Sequence, residues 1–192
     1  MANLEIAALG AVLDWINVMS YDFHGSWSPI TNFNSPLYPS SADPSSDPDI
    51  RERFNTDSAI QGYLAAGAPR SKLVLGVPFY GRGWAGVSDV DHGLYQSHGG
   101  VPTGTWEPGV FDYSDLARSY VPTYQRYVHA EAAVPWLHSP QEGVMISYDD
   151  PESLGRKVAY VIANGLGGAM FWELSGDSDD WALLRGLGAL RE

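Results

Sequence analysis

Three short apolar runs in this chain are too continuous for half-exposed strands and too short for buried helices. They are Trp15–Met19, Leu73–Val77 and Gly167–Met170, and each runs into a cluster of polar and aromatic side chains: Tyr21-Asp22, Phe79-Tyr80-Gly81-Arg82 and Phe171-Trp172-Glu173. Apolar runs of this kind suit parallel strands covered on both faces by helices. A barrel of parallel strands carries its chemistry at the carboxyl ends of those strands, so the three clusters read as pieces of one active-site face. Three strands are too few to close such a barrel.

The segments between them supply the helices. Leu4, Ala7, Ala8 and Val12 are spaced like one helical face, followed by a strand over Leu13–Met19. Thr56 or Asp57 can cap a helix bearing Ile60, Tyr63 and Leu64, which stops at Gly67 and leads to a strand over Lys72–Val77. Asp149-Asp150-Pro151-Glu152 start another helix, with Leu154, Val158, Val161 and Ile162 as its buried stripe and Asn164-Gly165 as its end. A third strand follows over Gly167–Leu174, and Asp179-Asp180 begin a last helix with Trp181, Leu184 and Leu187 facing inward. Strands alternating with helices predict an α/β fold with right-handed crossovers. Two segments break the rhythm. Phe23–Asn55 is rich in Ser, Pro, Asn and Asp, and Ser40–Asp49 has the composition of disorder, but Trp27, Phe33, Tyr38 and Phe54 can pin it as a long ordered loop. From Trp84 to Ser147, short alternating runs punctuated by Gly and Pro predict an inserted β-rich module.

Charge and composition exclude several roles. With 23 acidic against 11 basic residues the net charge is −12, which repels a polyanion such as nucleic acid and favours a neutral or cationic ligand. No stretch approaches the roughly 18 apolar residues of a membrane span, and the amino end lacks the basic and apolar regions of an export signal. The absence of cysteine removes thiol nucleophiles, thiolate metal sites and disulfides. His24, His92, His98, His129 and His138 lack metal-ligand spacing, while Asp177, Asp179 and Asp180 fit helix capping better than calcium, so neither a metal nor another cofactor is expected.

Taken in order, the clusters resemble glycoside hydrolase family 18, the chitinases and chitinase-like lectins. Met19-Ser20-Tyr21-Asp22 is similar to the end of that family's sixth barrel strand, Gly76–Trp84 to the seventh and Gly168–Glu173 to the eighth. Gly104–Tyr113 and Ile146–Asp150 are similar to the small α+β insertion domain of bacterial chitinases. The resemblance implies an α/β fold made of the last three units of a TIM (β/α)8 barrel. Residues 1–83 and 148–192 would form its barrel parts, and residues 84–147 the insertion domain.

It also implies chemistry. In this family the substrate's own N-acetyl oxygen attacks the anomeric carbon, so the protein orients an acetamido group and supplies one acid. By similarity, Tyr21 would hydrogen-bond that group, and Asp22 would stand beside the catalytic acid. Trp172 would form the apolar floor under the sugar. Met19, Tyr80 and Arg82 would line the same site, with Trp106 and Glu107 on the inserted wall. Trp84, Trp136 and Trp181 read as packing. The implied ligand is chitin or a chito-oligosaccharide, and the implied location is extracellular.

The resemblance breaks at the acid. The family's proton donor is the Glu of an Asp-Gly-x-Asp-x-Asp-x-Glu pattern on the fourth strand, and no such pattern occurs among these 192 residues. The chain is therefore expected to start after the fifth strand, as the carboxyl-terminal part of a chitinase, and to be inactive alone. The other readings are a non-catalytic, lectin-like binder of chito-oligosaccharides and a half-barrel assembly module. Three parallel strands leave two unpaired edges, so the chain is expected to pair with another copy or with the rest of the barrel. A compact monomer in light scattering would overturn that expectation.

Overall fold

The computed structural model describes residues 4–191. The elements are α1 (Ile6–Val12), β1 (Ile16–Val18), α2 (Pro48–Arg53), α3 (Thr56–Ala65), β2 (Leu73–Pro78), β3 (Tyr80–Ala85) and β4 (Val110–Asp112). The one-turn α4 (Tyr113–Asp115) runs on as a π-helical turn over Leu116–Tyr120. Then come β5 (Gln125–His129), β6 (Val134–Ser139), β7 (Val144–Ser147), α5 (Pro151–Asn164), β8 (Gly168–Trp172) and α6 (Ala182–Gly186).

Two sheets organise the chain. The first is parallel, in the order β1-β2-β8, with Ile16 opposite Leu73 and Val77 opposite Phe171. Its central strand β2 buries Leu73, Leu75 and Val77 completely, as an apolar run covered on both faces requires. The second sheet is antiparallel, in the order β4-β3-β7-β6-β5. One continuous stretch feeds both, because β2 passes through Phe79 directly into β3. Phe79 is fully buried at this joint and stacks on Phe171 of β8 with ring centroids 4.6 Å apart. The joint sets Tyr80 and Arg82 of the second sheet above the strand ends of the first. The antiparallel sheet thus begins at Tyr80, and β3 runs across the 83/84 boundary drawn from the sequence.

Several expectations need correction. α1 turns its Ile6 and Gly10 side inward, leaving Leu4 and Val12 exposed. The reason is close packing: a Cβ on Gly10 would lie 2.5 Å from Pro69 Cδ, so the helix docks with Gly10 against Pro69 and Ile6 in the core. β1 is shorter than Leu13–Met19, and Lys72 Nζ instead bonds the Gly10 and Leu13 carbonyls at 2.9 and 2.7 Å, closing the end of α1. β8 ends at Trp172 rather than Leu174. The cap of α3 is Asn55, whose Oδ1 accepts the Ser58 N–H at 2.9 Å, while Asp57 accepts the Tyr160 hydroxyl. α6 starts at Ala182, and Asp177 caps it by accepting the N–H groups of Leu183 and Leu184. Leu183 is its buried residue, Leu187 just after it is buried as expected, and Trp181 is exposed.

The loop from Phe23 to Asn55 is held as expected, though by fewer aromatic anchors. Phe33 is buried with Trp84 and Trp136 in a second core, whereas Trp27, Tyr38 and Phe54 remain partly exposed. Its polar stretch is ordered by local turn chemistry, in which Asp43 accepts the Ser45 N–H and Asp47 accepts the Asp49 N–H and so caps α2, and by a distant contact in which Glu131 holds Ser41.

α5 begins as expected with a capping box between Asp150 and Ser153, and it ends at Gly165, whose φ of 59° suits glycine. Its buried face differs from the apolar stripe. Ile162 points outward, and Lys157 takes a place in the core. Lys157 Nζ meets Asp149 Oδ2 at 2.6 Å, Ser35 Oγ at 2.7 Å and the Ser35 carbonyl at 2.8 Å. Burial holds this ammonium below the ordinary lysine pKa, and Asp149 opposes that shift. Asp149 also accepts the Ser153 hydroxyl at 2.6 Å. The network ties α5 to the long loop beside the end of β1.

Candidate functional site

A cleft of about 430 Å³ opens where the ends of β1 and β8 meet the start of β3. Met19, Tyr21, Asp22, Tyr80, Arg82, Trp106, Glu107 and Trp172 all line it, so the structure brings together every site residue predicted from the sequence. Phe79, Val110, Asp112, Glu173 and Gly176 complete the wall.

Local backbone chemistry explains how the Tyr21-Asp22 pair is aimed. β1 stops at Val18, and the buried Ser20 hydroxyl donates to the Gly76 carbonyl of β2 at 2.7 Å. Gly76 leaves room for this crossing: a Cβ there would lie 2.5 Å from the Val18 carbonyl oxygen and 3.0 Å from the Tyr21 ring. Asp22 then takes a left-handed turn, with φ 60°.

That turn sends the Asp22 carboxylate across to β3. Its Oδ1 accepts from the Tyr80 hydroxyl at 2.7 Å, Arg82 Nε at 2.8 Å and Arg82 Nη2 at 2.8 Å. The guanidinium lies 5.0 Å from the Trp27 ring centroid and 5.4 Å from that of Tyr80, positions that suit cation–π attraction. Burial, reinforced by the bond to Asp22, pushes the Tyr80 hydroxyl far above the usual phenol range, so it stays a donor. The Tyr21 hydroxyl is raised as well, by burial first and the Asp22 charge second. Tyr21 packs edge-on to Tyr80 at 6.2 Å, and its buried hydroxyl has no hydrogen-bond partner among the described residues.

The opposite wall is aromatic. Trp172 stands 60% exposed at the end of β8, and Trp106 is 84% exposed on the loop before β4. Trp106 is nevertheless fixed, because its Nε1 donates to Asp112 Oδ2 at 2.7 Å. A tight hairpin makes that possible: Glu107 bridges Val110 and the Thr105 N–H bonds the Val110 carbonyl, so Trp106 comes to lie beside Asp112. Glu173 accepts the Ser175 hydroxyl at 2.6 Å. Asp112 and Glu173 received no role from the sequence. The Pro108-Gly109 turn was the available signal for Asp112, since a hairpin there folds the chain back on Trp106. Trp84 and Trp136 are buried as packing residues, in contrast to Trp181.

Among the described residues, no group of three or more His, Asp or Glu side chains is placed to hold a metal ion. The cleft offers flat apolar faces, two phenol hydroxyls and an arginine-held carboxylate. Such an arrangement can bind and orient a ring that has one apolar face and polar substituents at its rim.

Residues 1–177 match the family model described as Glycosyl hydrolases family 18. Chitinase A1 of Niallia circulans is 51% identical over 180 residues, covering 92% of this chain and 26% of that protein. Chitinase B of Serratia marcescens is 33% identical over 221 residues, covering 95% of this chain and 44% of that protein. Among solved structures, chitinase ChiA74 from Bacillus thuringiensis superposes with a TM-score of 0.87 at 42% identity, over 95% of this chain and 32% of that one. A class V chitinase mutant from Nicotiana tobaccum in complex with NAG4 gives a TM-score of 0.83 at 33% identity, over 96% of this chain and 51% of that one. The chain thus spans less than half the length of both curated relatives.

Proposed function

This chain belongs to the glycosyl hydrolases of family 18, and from that premise we propose that its cleft binds the N-acetylglucosamine units of chitin or chito-oligosaccharides. The observation that carries this reading is the Tyr21 hydroxyl, a buried donor without a partner among the described residues, in a cleft that also presents the exposed face of Trp172. An unpartnered buried hydroxyl costs free energy that a bound acetamido oxygen recovers. The apolar face of a pyranose ring covers the indole of Trp172, while Met19, Tyr80, Arg82, Trp106 and Glu107 surround the same sugar.

We read the fold at finer grain in the same way. The parallel sheet is the part of a (β/α)8 barrel that carries strands six to eight, and the antiparallel sheet is the core of an inserted α+β domain. The order of the elements and the superposition over 95% of the chain support this.

In a catalytic assembly, this wall serves hydrolysis of β-1,4 bonds with retention. The acetamido oxygen forms a bond to the anomeric carbon as the glycosidic bond breaks, and the leaving oxygen takes a proton from a Glu. Tyr21 hydrogen-bonds the acetamido group through that step, and Asp22 faces the donor. The Glu-bearing pattern does not occur in this sequence, so the chain alone is read as a binder without turnover. Extracellular chitin is the setting that fits such a cleft.

Titration calorimetry with chitotetraose tests the reading. Binding is expected for the chain itself, with no cleavage products, and Trp172→Ala is expected to weaken it at least tenfold, about 1.4 kcal/mol. Equal affinity for a cellotetraose lacking acetamido groups would sink the assignment of Tyr21. Release of shorter sugars would sink the claim that the chain lacks turnover.

A further inference from the structure

Asn34 is fully buried in the long loop, and every polar group it carries is engaged. Its Oδ1 accepts the Asp22 N–H at 2.9 Å, and its Nδ2 donates to the Tyr80 carbonyl at 3.4 Å. Its own N–H donates to Ser147 Oγ at 2.9 Å, and its carbonyl accepts the Phe23 N–H at 3.1 Å. One residue therefore bolts together the end of β1, the start of β3 and the last residue of β7. Its neighbour Ser35 extends the clamp by donating to the Ser20 carbonyl at 2.8 Å.

We infer that Asn34 is the positioning residue for Asp22, holding its backbone in the left-handed turn from which the carboxylate reaches Tyr80 and Arg82. The inference rests on the sugar-binding reading of the cleft for its functional meaning. Three features of the structure converge on it. Asp22 has φ 60°, a left-handed conformation that costs free energy for a residue with a Cβ and that a hydrogen bond to its N–H helps to hold. The Asp22 N–H has Asn34 Oδ1 as its partner. The same amide grips the backbone of Tyr80, whose hydroxyl binds Asp22, so Asn34 sets both ends of the Asp22–Tyr80 bond. Without it the turn can relax toward extended backbone, which swings the carboxylate away from β3. Asn34 does not line the cleft, so its influence there runs through Asp22 and Tyr80, which do.

Nuclear magnetic resonance of the 15N-labelled chain reads this without any ligand. The Arg82 Nε–H, held by Asp22, reports the carboxylate position, and the Asp22 amide reports the turn. Asn34→Ala is expected to move the Asp22 amide and to lose the slowly exchanging Arg82 Nε–H signal, with the core amides of Leu75, Val77 and Ile146 unmoved. An unchanged Arg82 Nε–H signal overturns the inference, whatever the chain binds. If Asn34→Ala does not fold, Asn34→Asp is read instead. It keeps the acceptor for the Asp22 N–H but loses the donor to the Tyr80 carbonyl, so the Asp22 amide is expected to stay while the Arg82 Nε–H signal is lost, and an unchanged Arg82 Nε–H signal overturns the inference. Where chitotetraose binds, Asn34→Ala is expected to weaken it about tenfold in the native chain and to add nothing in an Asp22→Ala background. A second tenfold loss in that background would mark a purely structural residue.

Discussion

Replacing Lys157 with methionine is expected to lower the unfolding free energy of this chain by about 3–5 kcal/mol, the range for breaking a buried ion pair by removing one partner. Lys157 and Asp149 are both buried, and the ammonium is the charge partner of that carboxylate. Methionine matches the stem of lysine in volume, so little of the loss comes from packing. The loss comes from Asp149, left with only the Ser153 hydroxyl in a site closed to water, and from Ser35, which loses the donor to its carbonyl. Urea unfolding at fixed protein concentration checks this, with the midpoint falling and the slope unchanged. Combining Lys157→Met with Asp149→Asn is expected to restore more than half of the loss, because the uncompensated charge is gone. If the double variant is no better than the single one, the cost lies in packing and the electrostatic account fails.

The second large effect is expected at Gly76, where alanine adds one carbon at a tight crossing in the parallel sheet. The new Cβ would meet the Val18 carbonyl oxygen at 2.5 Å, the Tyr21 ring at 3.0 Å and Met170 Cε at 3.1 Å. Met170 ends in a flexible methyl and can move. The carbonyl is backbone in a strand paired to β2, so relief requires β1 and β2 to part or Tyr21 to leave its seat. Overpacking of this kind costs about 3 kcal/mol. It also displaces the Ser20 hydroxyl from the Gly76 carbonyl, so the cleft is damaged together with the sheet. Thermal unfolding and chitotetraose titration of Gly76→Ala should both report losses. A stable variant that binds like the parent would refute the tight crossing.

The parts of the molecule that could be read from sequence are those whose cause is local. β2 is legible because five apolar residues in a row leave no face for water, and the cap of α5 because Asp, Pro and Glu stand in consecutive positions suited to a helix start. The strand-end clusters are legible because Tyr-Asp, Tyr-Gly-Arg and Trp-Glu are unusual endings for apolar runs. What stayed hidden depends on contacts made far along the chain. Asn34 looks like any loop asparagine, and its partner Ser147 lies 113 residues away. Lys157 reads as a solvated cation interrupting an apolar stripe until Ser35, 122 residues away, is folded against it. The face of α1 was misread for a different reason, since the close approach of Gly10 to Pro69 brings Ile6 inward in place of Leu4 and Val12.

The indole of Trp106 is 84% exposed yet tethered by Asp112. An untethered tryptophan at such a site would sample several rotamers and lose that freedom each time a ligand settled on it, at about 0.5–1.5 kcal/mol for an immobilised side chain. Here the bond to Asp112 favours one orientation in the folded chain before any ligand arrives. If the proposed sugar binds at this rim, part of the ordering of the indole is already in place, and more of the entropy lost on capture is the ligand's own.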